Sequence, residues 1–146
     1  MDEIKDLLAI MRDCGVVVGM GTHLPEVVEY CEEHAWDIDF YMTCFYSLSR
    51  DRPGEGYVAS GGRIEESYDD ADREIMCEVI RATPKPCLAF KILAASRKCA
   101  TPECVRAAFE YAFSHIKPTD AVVVGMYQGE ANQVAMNAGI AAELLG

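Results

Sequence analysis

The sequence predicts an α/β fold organised on a parallel sheet. Two observations lead there. Strand-like apolar runs alternate with amphipathic helical segments along the chain, the order that builds parallel strands joined by right-handed crossovers. The run Cys87-Leu-Ala-Phe-Lys-Ile-Leu-Ala-Ala95 is apolar except for Lys91, as expected of a strand covered on both faces. A lysine in such a strand requires a partner or a wet cavity for its ammonium. No linker divides residues 1–146, so a single domain is expected, and the length suffices for a sizeable core.

Each element follows from local chemistry. Residues 2–13 place Ile4, Leu7, Leu8 and Met11 on one helical stripe, and Gly15 suits the cap after it. Val16-Val-Val-Gly-Met20 reads as the first strand. Pro25 fits the first turn of a helix running to about His34, with Leu24, Val27, Val28 and Cys31 inward. Asp39 to Tyr46 is rich in aromatics and reads as the second strand. Residues 49–66 carry glycine, proline and charge, which predicts a flexible loop: a surface excursion or a lid over a site at the strand ends. A helix from Ser67 to Ala82 turns Ala71, Ile75, Met76, Val79 and Ile80 inward. Thr101-Pro-Glu opens the next helix with a capping hydroxyl, a proline and an acid. Ala121 to Tyr127 reads as the fourth strand, and a last helix uses Val134, Ala138, Ala141, Ala142 and Leu145.

Composition excludes several function classes. A net charge of −11 disfavours nucleic acid and anionic membrane as partners. No run approaches the ~18 apolar residues of a membrane span. The chain opens on the acidic segment Met1-Asp-Glu-Ile-Lys-Asp, unlike a secretory leader. Seven cysteines, most within apolar patterns, read as reduced thiols, and a cytoplasmic protein is expected. No metal-ligand or phosphate-loop spacing appears, and Gly19-Met-Gly21 lacks the third glycine of a dinucleotide fingerprint.

Four strand–helix units allow two architectures: half of a (β/α)8 barrel, or a small open doubly wound sheet. Strand parity favours the half-barrel. It places Gly19, Gly21, Thr43, Lys91, Gly125 and Tyr127 on an inner face. Phe40, Met42, Phe90, Ile92, Val122 and Val124 then meet the helices.

Gly19-Met-Gly-Thr-His, the following helix, and Asp37-Ile-Asp-Phe-Tyr-Met-Thr-Cys-Phe-Tyr-Ser-Leu48 resemble the fifth and sixth units of aldo/keto reductases. Ala121-Val-Val-Val-Gly125 and Gln133-Val-Ala-Met-Asn137 are similar to that family's last strand and helix. The resemblance implies the C-terminal half of such a barrel, with oxidoreductase chemistry and NADPH as the cofactor. The family's catalytic tyrosine, lysine, histidine and aspartate lie in the half that this chain lacks. Its nicotinamide-binding positions would fall on Gly21, Thr22 and Thr43, with the stacking aromatic near Phe90. Its basic residues for the 2′-phosphate are missing from Met126-Tyr-Gln-Gly-Glu-Ala-Asn132. A single chain is therefore expected to be catalytically incomplete. A homo-oligomer that closes the barrel, or a separate N-terminal half, would remedy the open sheet edges.

Ligands of barrels bind at the carboxyl ends of the strands. The candidate binding residues there are Thr22, Thr43, Cys44, Tyr46, Ser96, Arg97, Lys98, Tyr127 and Gln128. Ser96-Arg-Lys98 could seat a phosphate or carboxylate. His23 could move a proton near neutral pH, and Cys44 could act as a nucleophile if its pKa were depressed. Lys91 is the sharpest catalytic candidate, because a desolvated strand lysine can form a Schiff base with a carbonyl substrate, as in class I aldolases. A salt-bridged interior lysine is the alternative. Three functions stand open: a reductase-like barrel fragment, a small lyase or aldolase, and a ligand-binding or scaffold module without chemistry.

Overall fold

The computed structural model describes residues 2–48, 66–129 and 131–146. Four strands, β1 (Gly19–Thr22), β2 (Phe40–Cys44), β3 (Cys87–Phe90) and β4 (Ala121–Val123), form one sheet in the order β1-β2-β3-β4. Every neighbouring pair is parallel. Five helices complete the chain: α1 (Asp2–Asp13), α2 (Pro25–Glu33), α3 (Asp70–Ala82), α4 (Pro102–His115) and α5 (Gln133–Leu145). None of them is long and apolar enough to cross a membrane.

The helix starts follow from their capping chemistry. The Thr22 hydroxyl donates to the Leu24 carbonyl and accepts from the Leu24 amide, which turns the chain into α2. Asp69 caps α3 by accepting from the Ala71 amide at 2.9 Å. Thr101 caps α4 by accepting from the Cys104 amide at 3.3 Å, with Pro102 at the first helical position. Gly15 takes φ +71° just past α1, a left-handed value at which glycine carries no Cβ strain.

The strands are shorter than the apolar runs that contain them, because a strand extends only as far as its ladder partner. β1 begins at Gly19 rather than Val16, since β2 begins at Phe40 and Gly19 is paired with it. Val16 and Val17 are exposed. β4 stops at Val123 because its partner in β3 is Phe90, the last residue of that strand. The run from Cys87 to Ala95 is not one strand. It leaves the sheet at Lys91, whose φ is +58°, and Ala94, Ala95 and Ser96 also take positive φ. Ile92 and Ala94 are still buried, by a turn rather than by a ladder.

Nor is the sheet covered equally on both faces. Tyr41, Thr43, Cys87 and Ala89 are buried, whereas Phe40, Met42, Leu88 and Phe90 are half-buried. The Tyr41 hydroxyl donates to Glu32 of α2 at 2.6 Å, which identifies the buried face of β2 as the one toward that helix. Thr43 shares the Tyr41 face. The predicted parity is therefore inverted in β2 and at Phe90, where Thr43 turns to the helices and Phe40, Met42 and Phe90 lie on the less covered face. Gly19 and Gly21 pair on that less covered face and Val122 pairs with the buried Ala89, as expected. The register puts Gly19 beside Phe40 and Gly21 beside Met42. A Cβ on Gly19 would come within 2.3 Å of the Phe40 ring, so the missing side chain makes room for that ring.

The terminal helices also bury different residues from those expected. Leu8 alone of the predicted α1 stripe is buried, and Leu7 and Ile10 are exposed. In α5 the inward positions are Asn137, Ile140 and Leu144, while Val134 and Leu145 are exposed. Apart from its polar members, α5 is apolar on all sides, so periodicity carried no direction there. The predicted loop at 49–66 falls outside the described residues except for Glu66. A backbone bond from Ser67 to Leu48 at 3.1 Å joins its two ends.

Candidate functional site

The left-handed turn after β3 lifts Lys91 out of the sheet at the carboxyl end of the strands. Its ammonium donates to Glu66 Oε1 at 3.0 Å and to the Tyr68 hydroxyl at 3.2 Å. The Tyr68 hydroxyl in turn donates to the other oxygen of Glu66. These three groups close a small hydrogen-bonded ring in which the lysine and tyrosine share one carboxylate. Burial alone would lower the Lys91 pKa, but the bonds to Glu66 and Tyr68 outweigh it and raise it. Burial and the Glu66 bond raise the Tyr68 pKa against the opposing pull of Lys91. Glu66 is pushed up by burial, yet its bonds to Tyr68 and Lys91 hold it below the ordinary glutamate value. At neutral pH the ring therefore consists of an ammonium, a phenol and a carboxylate.

His23 enters this cluster from the loop after β1. Its imidazole lies 5.4 Å from the Phe90 ring, tilted by 51°. Burial and the nearby Lys91 charge depress its pKa, with a smaller opposing effect of Glu66. His23 is thus a neutral imidazole beside an ammonium at neutral pH.

A second carboxylate organises the flank. Asp70, in the first turn of α3, accepts from the Tyr46 hydroxyl at 3.3 Å and pairs with Arg73 at 3.1 Å and Lys98 at 2.9 Å. The Arg97 guanidinium lies 4.0 Å from the Tyr68 ring centroid, a cation–π stack. Ser96-Arg-Lys98 is consequently not an open anion seat: Arg97 stacks on Tyr68 and Lys98 is bound to Asp70.

The structure thus brings together Lys91, His23, Tyr46, Arg97 and Lys98, with Lys91 also bordering the cavity that Ser96 and Tyr127 line, and it engages or encloses the remaining predicted residues elsewhere. That cavity, of about 770 Å³, lies at the ends of β3 and β4. Gln128 is exposed and bonds to Asn132 at 3.4 Å. Thr22 spends its hydroxyl on Leu24, and Thr43 is enclosed on the helix side. Cys44 is fully buried, and burial pushes its thiol up to about 11, which removes the thiolate that a nucleophile needs. Among the described residues no three His, Cys, Asp or Glu side chains gather as a metal site.

Comparison with known proteins finds no matching family model, no matching curated protein and no matching solved structure.

The strand ends do not suit NADPH, the cofactor that the resemblance implies. The Thr22 hydroxyl is engaged in the turn into α2, and Thr43 is enclosed beneath the sheet. The Phe90 ring already has His23 against it, and both nearby cations of the β3 turn have intramolecular partners. Sequence reasoning missed Glu66, Tyr68 and Asp70. The one available signal was the lysine itself, which demanded a carboxylate without saying where along the chain it would come from.

Proposed function

We propose that this chain acts on a small carbonyl compound by proton transfer at the Lys91–Tyr68–Glu66 ring. The carrying observation is the Tyr68 hydroxyl held between Glu66 and the Lys91 ammonium, with neutral His23 close by. A carbonyl oxygen docked at the ring would accept from the Lys91 N–H that neither Glu66 nor Tyr68 takes, and from Tyr68 once its single proton turns away from Glu66. That polarises the carbonyl and acidifies the adjacent carbon. The His23 imidazole would take that proton, leaving an enolate held at the ring, and return a proton to the same carbon. Atoms and charge balance without an external cofactor.

The measurement is hydrogen–deuterium exchange at the α-carbon of dihydroxyacetone or butanone in D2O, followed by NMR. Exchange accelerated by the chain and lost in both Tyr68→Phe and His23→Gln supports the reading. Exchange no faster than with free imidazole, or unchanged in both variants, ends it. A Schiff base at Lys91 has less support, because the bonds to Glu66 and Tyr68 keep the amine protonated. Borohydride trapping with the same ketones separates the two, since proton transfer leaves no adduct.

The architecture proposed with this function is half of a (β/α)8 barrel. A doubly wound sheet reverses its strand order at a switch point, whereas here the order runs β1-β2-β3-β4 without reversal. Right-handed crossovers in one direction put the connecting helices on one face, in agreement with the one-sided burial. Among the described residues the outer edges of β1 and β4 have no strand partner. Pairing with a second copy, or with a separate N-terminal half, would cover them. Light scattering on the eluted protein tests self-association, and a monomer at all concentrations excludes the two-copy barrel.

A further inference from the structure

We infer that the cavity between the β3–α4 turn and the β4–α5 turn binds an uncharged, mostly apolar small molecule carrying one amide or carbonyl group. At about 770 Å³ the cavity is of ligand size, within the roughly 300–1,000 Å³ of small-molecule sites. Its walls include Leu93, Val105, Val123, Met136 and Ile140. Asn137 also lines it, and that residue is only 8% exposed. Among the described residues the Asn137 carboxamide makes no side-chain hydrogen bond, and neither of its polar atoms is fully enclosed, so its donor and acceptor are open to the cavity that it lines. A ligand that donates and accepts at one point would satisfy it.

Charge narrows the class. Lys91 is the one charged side chain among the described lining residues, and Glu66 already neutralises it. A carboxylate or phosphate placed here would be desolvated without a free cation to receive it. The ligand is therefore neutral, and a primary amide on an alkyl or aryl body matches Asn137 best. The inference concerns binding alone and uses none of the ring's proton chemistry, although Lys91 borders both sites.

The test is a fluorescence titration of the full chain with Nile red, a neutral apolar dye, followed by displacement with decanamide and decanoate. Saturable uptake of one dye per chain is expected, with decanamide displacing it at about tenfold lower concentration than decanoate. Asn137→Leu should retain the dye and lose the preference for the amide. A Cβ on Gly125, which also lines the cavity, would meet nothing within 4 Å, so Gly125→Phe should fill the space and abolish uptake while the circular dichroism spectrum is unchanged. Non-saturable uptake, equal displacement by the two decyl compounds, or full binding in Gly125→Phe would overturn the inference. So would uptake that falls as protein concentration rises, because a second copy would then occupy the cavity. Should Gly125→Phe not fold, the amide preference in Asn137→Leu decides alone.

Discussion

Lys91 and Glu66 stand 25 residues apart in the sequence and 3.0 Å apart in space. The two side chains are 25% and 20% exposed, between a surface pair and a buried one. Replacing Glu66 by Gln leaves the ammonium facing a neutral amide. This should cost about 1–2 kcal/mol of stability. Replacing Lys91 by Met as well removes the stranded charge, and the double variant should recover part of that loss. A double-mutant cycle from urea denaturation should give a coupling of about 1 kcal/mol. A coupling of zero would mean that the pair contributes nothing to stability.

His23 should titrate below the ordinary histidine value of 6.5, because burial and then the Lys91 charge disfavour the imidazolium. Removing the cation in Lys91→Met should raise the His23 pKa, and removing the anion in Glu66→Gln should lower it further. The signs are opposite, which a general loosening of the site would not produce. Imidazole NMR titration reads both. The linkage has a definite direction. Below 6.5 the unfolded chain takes up the proton more readily than the folded one, so this residue costs stability as pH falls toward its depressed folded value.

Thr43 is fully buried and its hydroxyl has no hydrogen-bond partner among the described residues. Valine keeps the branched shape and removes the unsatisfied oxygen. Thr43→Val should therefore stabilise the chain by about 1 kcal/mol, seen as a higher urea midpoint with the slope unchanged. Destabilisation would show that the hydroxyl is bonded in solution.

Glu32 receives the Tyr41 hydroxyl at 2.6 Å and the Lys85 ammonium at 2.5 Å. Burial alone would raise its pKa, but these bonds hold it below the ordinary 4.5. Its stabilising contribution is complete above 4.5 and is lost as pH falls through the depressed folded value. Glu32→Gln should lower stability at neutral pH and flatten the acid limb of the stability profile. An acid limb identical to that of the unchanged chain would remove Glu32 as a cause.

The starts at Pro25 and at Thr101-Pro102 were legible because they rest on neighbours in the chain, whereas α3 begins at Asp70 behind the Asp69 cap and not at Ser67, where its apolar stripe alone puts it. Strand ends were not legible, because each strand stops where its partner does, and partner lengths are non-local. The apolar run after Cys87 was read as one strand because burial was its only signal. Ile92 and Ala94 are buried, but on a turn of left-handed residues that no composition distinguishes from a ladder. Lys91 was legible as an anomaly, whereas its partners Glu66 and Tyr68 sat at the end of a polar stretch that resembled any surface loop. Asn137 was noted only within the stretch that resembles a family helix, and its inward position was not read because a polar residue on an apolar helix is ordinarily assigned to the outside.

The two outer strands of the sheet are not equivalent, and this imposes a polarity on any contact that prolongs the sheet. A neighbour added in parallel along β4 must present its own β1, since two β4 edges related by a two-fold normal to the sheet would run antiparallel. Assembly that kept the sheet parallel would thus be head-to-tail, with each copy donating one edge and accepting at the other. Whether such a chain of copies ends is set by strand twist and stagger alone: enough coiling per copy closes a ring, and too little leaves an open strip that grows at both ends.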